Sequence, residues 1–360
     1  MKPTIVAVLI VAATPSVAHA QTVYSSLPLS GAARVSTKAI NTGARLALRQ
    51  SGNHSVRLVT LNDATRRAGS WVPENVARNA RKAAQDPAAI AYIGEFNSGA
   101  SEIALPILNE AGVPMISPSN TYNGLTVKAA PGEPDKYYPT GARTYFRLLP
   151  NDTVQAAALT TAMRDKGCKQ IGVLHDSELY GKQLAAGITS TAARLGLKVV
   201  VNRRSGRTAP KSLRRADCMA YAGITANGAA RLFKTAPKKL KLFGGDGIAD
   251  RRFAGQLPRS VARRTFITIA TLPSTAYHLS GRTDPYQAFG YEAMKLVLDG
   301  IAAGATTKAA LINWLHGVQN RPSIIGTYGF DANGDTTLRT YGLYSVSGRS
   351  LRYVGAITAA

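Results

Sequence analysis

Short apolar runs with the two-residue period of strands alternate along this chain with longer stretches whose apolar positions recur at helical spacing. VYSSLPL, SVRLVTLND, AIAYIGEF and VPMISPS predict strands; GAARVSTKAINTGARLALRQSG, VARNARKAA and EIALPILNEAG predict the helices between them. After a loop rich in Gly, Pro and Tyr (AAPGEPDKYYPTG) the pattern begins again with RTYFRLLP. The helix DTVQAAALTTAMRDKG, the strand KQIGVLHD, a long helix through LYGKQLAAGITSTAARLG and the strand LKVVVNRR follow, then CMAYAGI, KLKLFGGDG and TFITIATLP. Alternation of this kind predicts an α/β protein with parallel sheets covered by helices on both faces. Its recurrence predicts a duplicated architecture of two lobes rather than a short-period repeat array. The tail differs: YQAFGYEAMKLVLDGIAAG and TKAALINWLHGVQ read as helices, and GTYGFDANGDTTLRTYGLYSVSGRSLRYVGA as antiparallel strands around a turn. No segment reads as a flexible linker, so the lobes are expected to share several short crossings.

One stretch raises a functional question. MISPSNTYNGLT, residues 115–126, runs from an apolar strand straight into a polar loop. In an open α/β sheet the carboxyl ends of strands are where ligands sit.

Composition bounds the answers. With 360 residues, 45% hydrophobic and 18% charged, the chain is long enough for two ordinary cores and has a globular make-up. Residues 1–20 stand apart: Lys2, an apolar run from Ile5 to Ala13 too short for a bilayer, then Ala18-His19-Ala20, a pattern suited to signal peptidase. An exported, soluble protein beginning near Gln21 is expected, periplasmic or secreted. Export places Cys168 and Cys218 in an oxidising compartment, each just before a strand. If those strands are neighbours, their starts lie within disulfide reach; the alternative is two buried thiols. The net charge of +24 is spread over pairs such as Arg66-Arg67, Arg203-Arg204, Arg214-Arg215, Lys238-Lys239, Arg251-Arg252 and Arg263-Arg264. These are scattered and come with no nucleic-acid motif, so a solvated basic surface is the reading.

Catalytic signatures are absent: no HExxH, paired CxxC, nucleophile elbow or phosphate-binding GxxxxGK occurs. Gly245-Asp246-Gly247 is a fragment of a dinucleotide fingerprint, with Asp250 where the third glycine belongs. FDANGD, with Asp331, Asn333 and Asp335, lacks the distal Glu of a calcium loop and reads as an Asx-type turn. His175-Asp176 reads as a structural pair. No catalytic residue, metal or cofactor is expected.

An ordered series does carry information: the export signal, the PLSG loop, IGEFNSGAS, MISPSNTYNGLT, HDSELYG, the GGDG turn, GYEAMKLVLDGI and FDANGD. Together these resemble the periplasmic solute-binding proteins of branched-chain amino acid ABC transporters, the leucine/isoleucine/valine-binding type, over essentially the whole chain after the signal. The resemblance implies the type I fold, two doubly wound parallel-sheet lobes around a ligand cleft joined by three crossings, here near 148–151, 270–273 and 326–330. The first lobe would be 22–148 with 273–326, and the second 149–272 with 327–360. In such a fold the first and third strands of the second lobe are neighbours, which supports a Cys168–Cys218 bridge.

An amino acid's carboxylate needs several donors, ideally backbone N–H groups at a helix amino terminus. The loop NSGAS at 97–101 has that form: Ser98 adds a hydroxyl, Gly99 permits close approach, and Ala100 continues the turn. A plain helix N-cap is the other reading of Ser98. By resemblance Asn120 and Thr121 supply further partners, whereas Tyr122 either does so or packs its loop. The ammonium needs an anion, and Asp246 matches the family's acidic residue, one methylene shorter than the Glu of the leucine-binding type. Tyr180 matches an aromatic that closes over the ligand. Ile224 stands where a second aromatic belongs, and Phe96 and Leu29 line the first-lobe wall or belong to the core. The resemblance implies capture of an aliphatic or related amino acid by lobe closure, with delivery to a membrane ABC permease, as a monomer and without nucleic acid. The alternatives are a ligand-sensing module for a membrane receptor, or a binding protein for amides, urea or aromatic acids.

Overall fold

The computed structural model describes residues 21–270 and 284–358. The expected cleavage point at Ala20 and positions 271–273 of one crossing lie outside the described residues.

The first half builds a parallel five-stranded sheet in the order β2-β1-β3-β4-β5. Its strands are β1 (Gln21–Leu27), β2 (Val56–Asn62), β3 (Ala89–Ile93), β4 (Met115–Ser117) and β5 (Tyr145–Arg147). β1, β3, β4 and β5 are buried along nearly their whole length, which is why they read as near-continuous apolar runs. α1 (Arg34–Ser51), α2 (Pro73–Gln85) and α3 (Ser98–Glu110) make the crossovers. The repeat of the pattern at RTYFRLLP suggests the opening of a second set; instead β5 pairs with β4 and completes the first sheet.

The second sheet has seven strands in the order β12-β11-β10-β9-β8-β6-β7. β6 (Gln170–His175), β7 (Lys198–Arg204), β8 (Cys218–Ala222), β9 (Lys241–Gly244) and β10 (Thr265–Ile269) run parallel. β11 (Thr340–Ser347) and β12 (Ser350–Thr358) add the antiparallel edge that the tail predicts. The helices are α4 (Asp152–Asp165), α5 (Leu179–Arg194), α6 (Ala229–Thr235), α7 (Arg251–Gln256) and α8 (Arg259–Ala262). β6 and β8 are neighbours, and Cys168 and Cys218 form a disulfide at their amino ends, with Cα atoms 5.8 Å apart.

The chain then returns to the first sheet. α9 (Tyr286–Ala302) lies against α1 so closely that a Cβ on Gly43 would fall 2.0 Å from the Gln287 carbonyl oxygen, and one on Gly290 2.1 Å from that of Ile40. Only glycines permit that approach. α10 (Lys308–His316) follows α9.

Arg147, wholly buried at the end of β5, braces the junction between the sheets. Its Nε donates to Asp335 at 2.6 Å, Nη1 to the Tyr122 carbonyl at 2.7 Å, and Nη2 to Thr126. Asn151 donates to the other Asp335 oxygen at 3.0 Å. Asp331 accepts the amides of Asn333 and Asp335 at 2.9 Å each, so FDANGD is an Asx turn, and its Asp335 serves this brace.

Candidate functional site

At the carboxyl ends of the strands, loops from both sheets meet around a cavity of about 20 Å³, room for a water molecule in this arrangement. Phe96, Asn97 and Ser98 follow β3, Ser119 and Thr121 follow β4, and Tyr286 opens α9. Glu178 and Tyr180 follow β6, Ile224 follows β8, and Asp246 and Gly247 follow β9. A second cavity of similar size adjoins it, sharing Phe96, Asn97, Ile224, Asp246, Gly247 and Tyr286.

On the first-sheet side, Asn97 is the N-cap of α3, so residues 98–101 form the helix's first turn rather than a loop. Its side chain makes no capping bond and its buried Oδ1 has no hydrogen-bond partner. Ser98 is therefore not the cap; its hydroxyl accepts a long bond, 3.4 Å, from the Tyr122 amide. The start of α3 thus keeps N–H groups and a positive dipole end free to meet an anion. Gly99 sits beneath the Trp71 indole, where a Cβ would come within 3.1 Å of the ring.

Not every predicted residue reaches the cavity. Ala100 is core, and Leu29 packs against the core while its amide bonds Asn62. Asn120 is fully buried: its Nδ2 donates to the carbonyls of Glu95 and Phe96 at 3.0 and 3.1 Å, and its Oδ1 accepts from Tyr145 and Ser101. That side chain has no capacity left for a ligand and instead fixes the loop that carries Phe96. Tyr122 donates to Glu133 at 2.7 Å, so it packs its loop. Thr121 lines the cavity, and its carbonyl takes the Asp152 amide at 2.6 Å.

On the opposite wall Asp246 gathers polar groups. Gln155 Nε2 donates to its Oδ1 at 2.5 Å, the Tyr180 hydroxyl lies 2.9 Å from the same oxygen, and Tyr286 donates to Oδ2 at 3.2 Å. Burial pushes the Asp246 carboxyl above its ordinary range, against the pull of these hydrogen bonds. Burial does the same to Glu178, reinforced by the neighbouring Asp176 charge. The Tyr286–Asp246 bond joins a helix packed on the first sheet to a loop of the second. Phe96 packs edge-on to Tyr286, with ring centroids 5.2 Å apart. His175 and Asp176 stay structural: Asp176 accepts the amides of Glu178 and Ile224.

Asn97, Ser119, Glu178, Gly247, Tyr286 and, behind them, Gln155 and Trp71 escape the sequence reading. Ser119 lies within the polar loop already singled out, and Glu178 within HDSELYG; those motifs point to the loop and not to the residue. Tyr286 has only the helix-opening DPY as a local signal.

A family model described as periplasmic binding protein matches residues 25–213. A Leu/Ile/Val-binding protein of Rhizobium johnstonii is 25% identical over 275 residues, covering 70% of this chain and 71% of its own. Among solved structures, a leucine-binding protein of Thermotoga maritima superposes with a TM-score of 0.79 at 21% identity, covering 94% of this chain and 99% of its own. A solute-binding protein of an R. palustris ABC transporter, solved with benzoate, gives a TM-score of 0.76 at 19% identity over 95% and 97% of the two chains. The two wound sheets, the cleft at their strand ends and a family match over more than half the sequence agree: this chain belongs to the periplasmic binding proteins.

Proposed function

We propose that this protein captures an amino acid between two lobes, residues 22–148 with 273–326 and 149–272 with 327–360, and delivers it to the permease of an ABC transporter. One observation carries the reading: the uncapped start of α3 and the buried carboxylate of Asp246 line a single cavity. They suit the two ends of a zwitterion, with carboxylate on helix N–H groups and ammonium on Asp246. Phe96, Tyr180, Tyr286 and Ile224 then cover the carbon skeleton.

Closure supplies the signal. Tyr286–Asp246 is a bond between the two sides, and a ligand touching both walls adds its own differential affinity for the closed form. Binding without turnover is all this cycle requires. The protein would act outside the cytoplasmic membrane as a monomer, after loss of its first twenty residues. A receptor could read the same closed form, which is the sensing alternative.

A second reading, an aromatic acid, draws on the ring-lined walls and on the benzoate complex of the R. palustris protein. It leaves Asp246 without a cationic partner, because neither cavity is lined by a described Lys or Arg and a benzoate brings no cation. Calorimetric titration of refolded protein with the proteinogenic amino acids and benzoate tests both. Micromolar or tighter binding of an amino acid, lost in Asp246→Ala, supports capture as described. Silence to every amino acid with benzoate bound replaces it with the second reading.

A further inference from the structure

We infer that the preferred ligand is an amino acid whose side chain ends in a second cationic nitrogen group, so that it brings two positive charges and one negative; this rests on the amino-acid reading above. A neutral-side-chain amino acid is already balanced by the start of α3 and Asp246. Glu178 is then a surplus carboxylate on the same cavity. It occupies the N-cap position of α5 without capping it, and its carboxylate accepts a long bond, 3.5 Å, from the Asn227 amide.

The surroundings amplify the surplus. Asp250 lines the second cavity, and Asp152, Asp176 and Asp284 are buried close behind the walls, held by backbone amides, hydroxyls or amide side chains, or in the case of Asp152 with neither carboxylate oxygen bonded. None of these, nor Glu178 or Asp246, forms an ion pair with a described Lys or Arg. The chain holds 44 basic against 20 acidic residues, so cations were available for that position. Withholding them from the cleft leaves a field that a cationic ligand offsets.

An independent observation points the same way. Asn97 Oδ1, at a residue 7% exposed, lines both cavities with no donor on it. A guanidinium or terminal ammonium carries several N–H donors and no acceptor, which suits Glu178 and Asn97 together. An aliphatic side chain offers none and would leave both desolvated on closure. The rings of Phe96 and Tyr286 give a cation an aromatic surface to rest on, and Ile224 gives its methylene stem a surface.

The test uses matched pairs, titrated calorimetrically into protein unfolded and refolded to strip carried-over ligand: L-arginine against L-citrulline and L-lysine against L-norleucine, with L-leucine and benzoate alongside. Arginine or lysine is expected to bind at least about tenfold more tightly than its neutral partner. Glu178→Gln, checked for folding by thermal melting, should bring that ratio towards one; the pairs on the unchanged protein decide the matter even if the variant misfolds. Equal or tighter binding of citrulline, norleucine or leucine overturns the inference and leaves amino-acid capture standing. Binding of benzoate alone, or silence across the panel, overturns both.

Discussion

The rim of this molecule and its cleft carry opposite charge. β7, the edge strand of the larger sheet, exposes Arg203 and Arg204, and the chain leaving it adds exposed Arg207, Lys211, Arg214 and Arg215. The cleft shows Asp246, Asp250 and Glu178 and, among its described lining residues, no Lys or Arg. A formal charge of +24 sums over both regions and is silent about the sign of either. Exposed cations cost little in water and are screened within about 8 Å at physiological salt, whereas a carboxylate inside a closing cleft is not screened. Function follows the buried minority of charges.

The largest effect should come where a cation does enter the interior. Arg147→Met strands Asp335 beside Asn151 alone and is expected to cost about 3–5 kcal/mol in guanidinium unfolding. Next comes the cleft: Asp246→Asn keeps shape but not charge, and amino-acid affinity should fall about 100-fold, roughly 3 kcal/mol, by calorimetry. An unchanged affinity would detach Asp246 from the ligand. A third change sharpens the contrast by removing a buried charge that has no cation. Asp63, behind the Phe96 loop beside the buried Glu95, has its carboxyl pushed up to about 6 by burial. A raised acid pKa favours the fold at low pH, with that contribution lost as pH climbs from about 4 through 6. Asp63→Asn should therefore match wild type near pH 4 and exceed it by about 2 kcal/mol at pH 7, read from paired denaturation curves. Smallest is the rim: Arg203→Ser with Arg204→Ser should move ligand affinity less than about twofold and stability by less than about 0.5 kcal/mol.

The architecture was legible because it is written in local periodicity. α1 carries its helical spacing and ends at Gly52 in a left-handed turn, and the buried strands announce themselves as apolar runs. Asp246 stood out because acids are scarce here and it sits between glycines at a strand end. Asn120 shows the limit: in SNTY, which polar side chain turns inward depends on hydrogen bonds to Glu95 and Phe96, and no spacing rule predicts those. Tyr286 was invisible for a different reason. It reaches the cleft from more than 20 residues away in sequence from any motif residue around Asp246 or Glu178, through packing such as the glycine contact of α1 with α9. The boundary between the two strand sets misled for the same cause, since β5 reads like a beginning and pairs as an end.

The buried guanidinium at the junction has a mechanical meaning. By gripping the loop at Tyr122 and Thr126 and the turn at Asp335 at once, Arg147 ties β5, the loop after β4 and the turn before β11 to a common pivot. A pinned pivot lets jaws swing but not slip. In the proposed capture cycle each bite then returns to the same register, and a permease that touches both jaws meets one docking geometry every time.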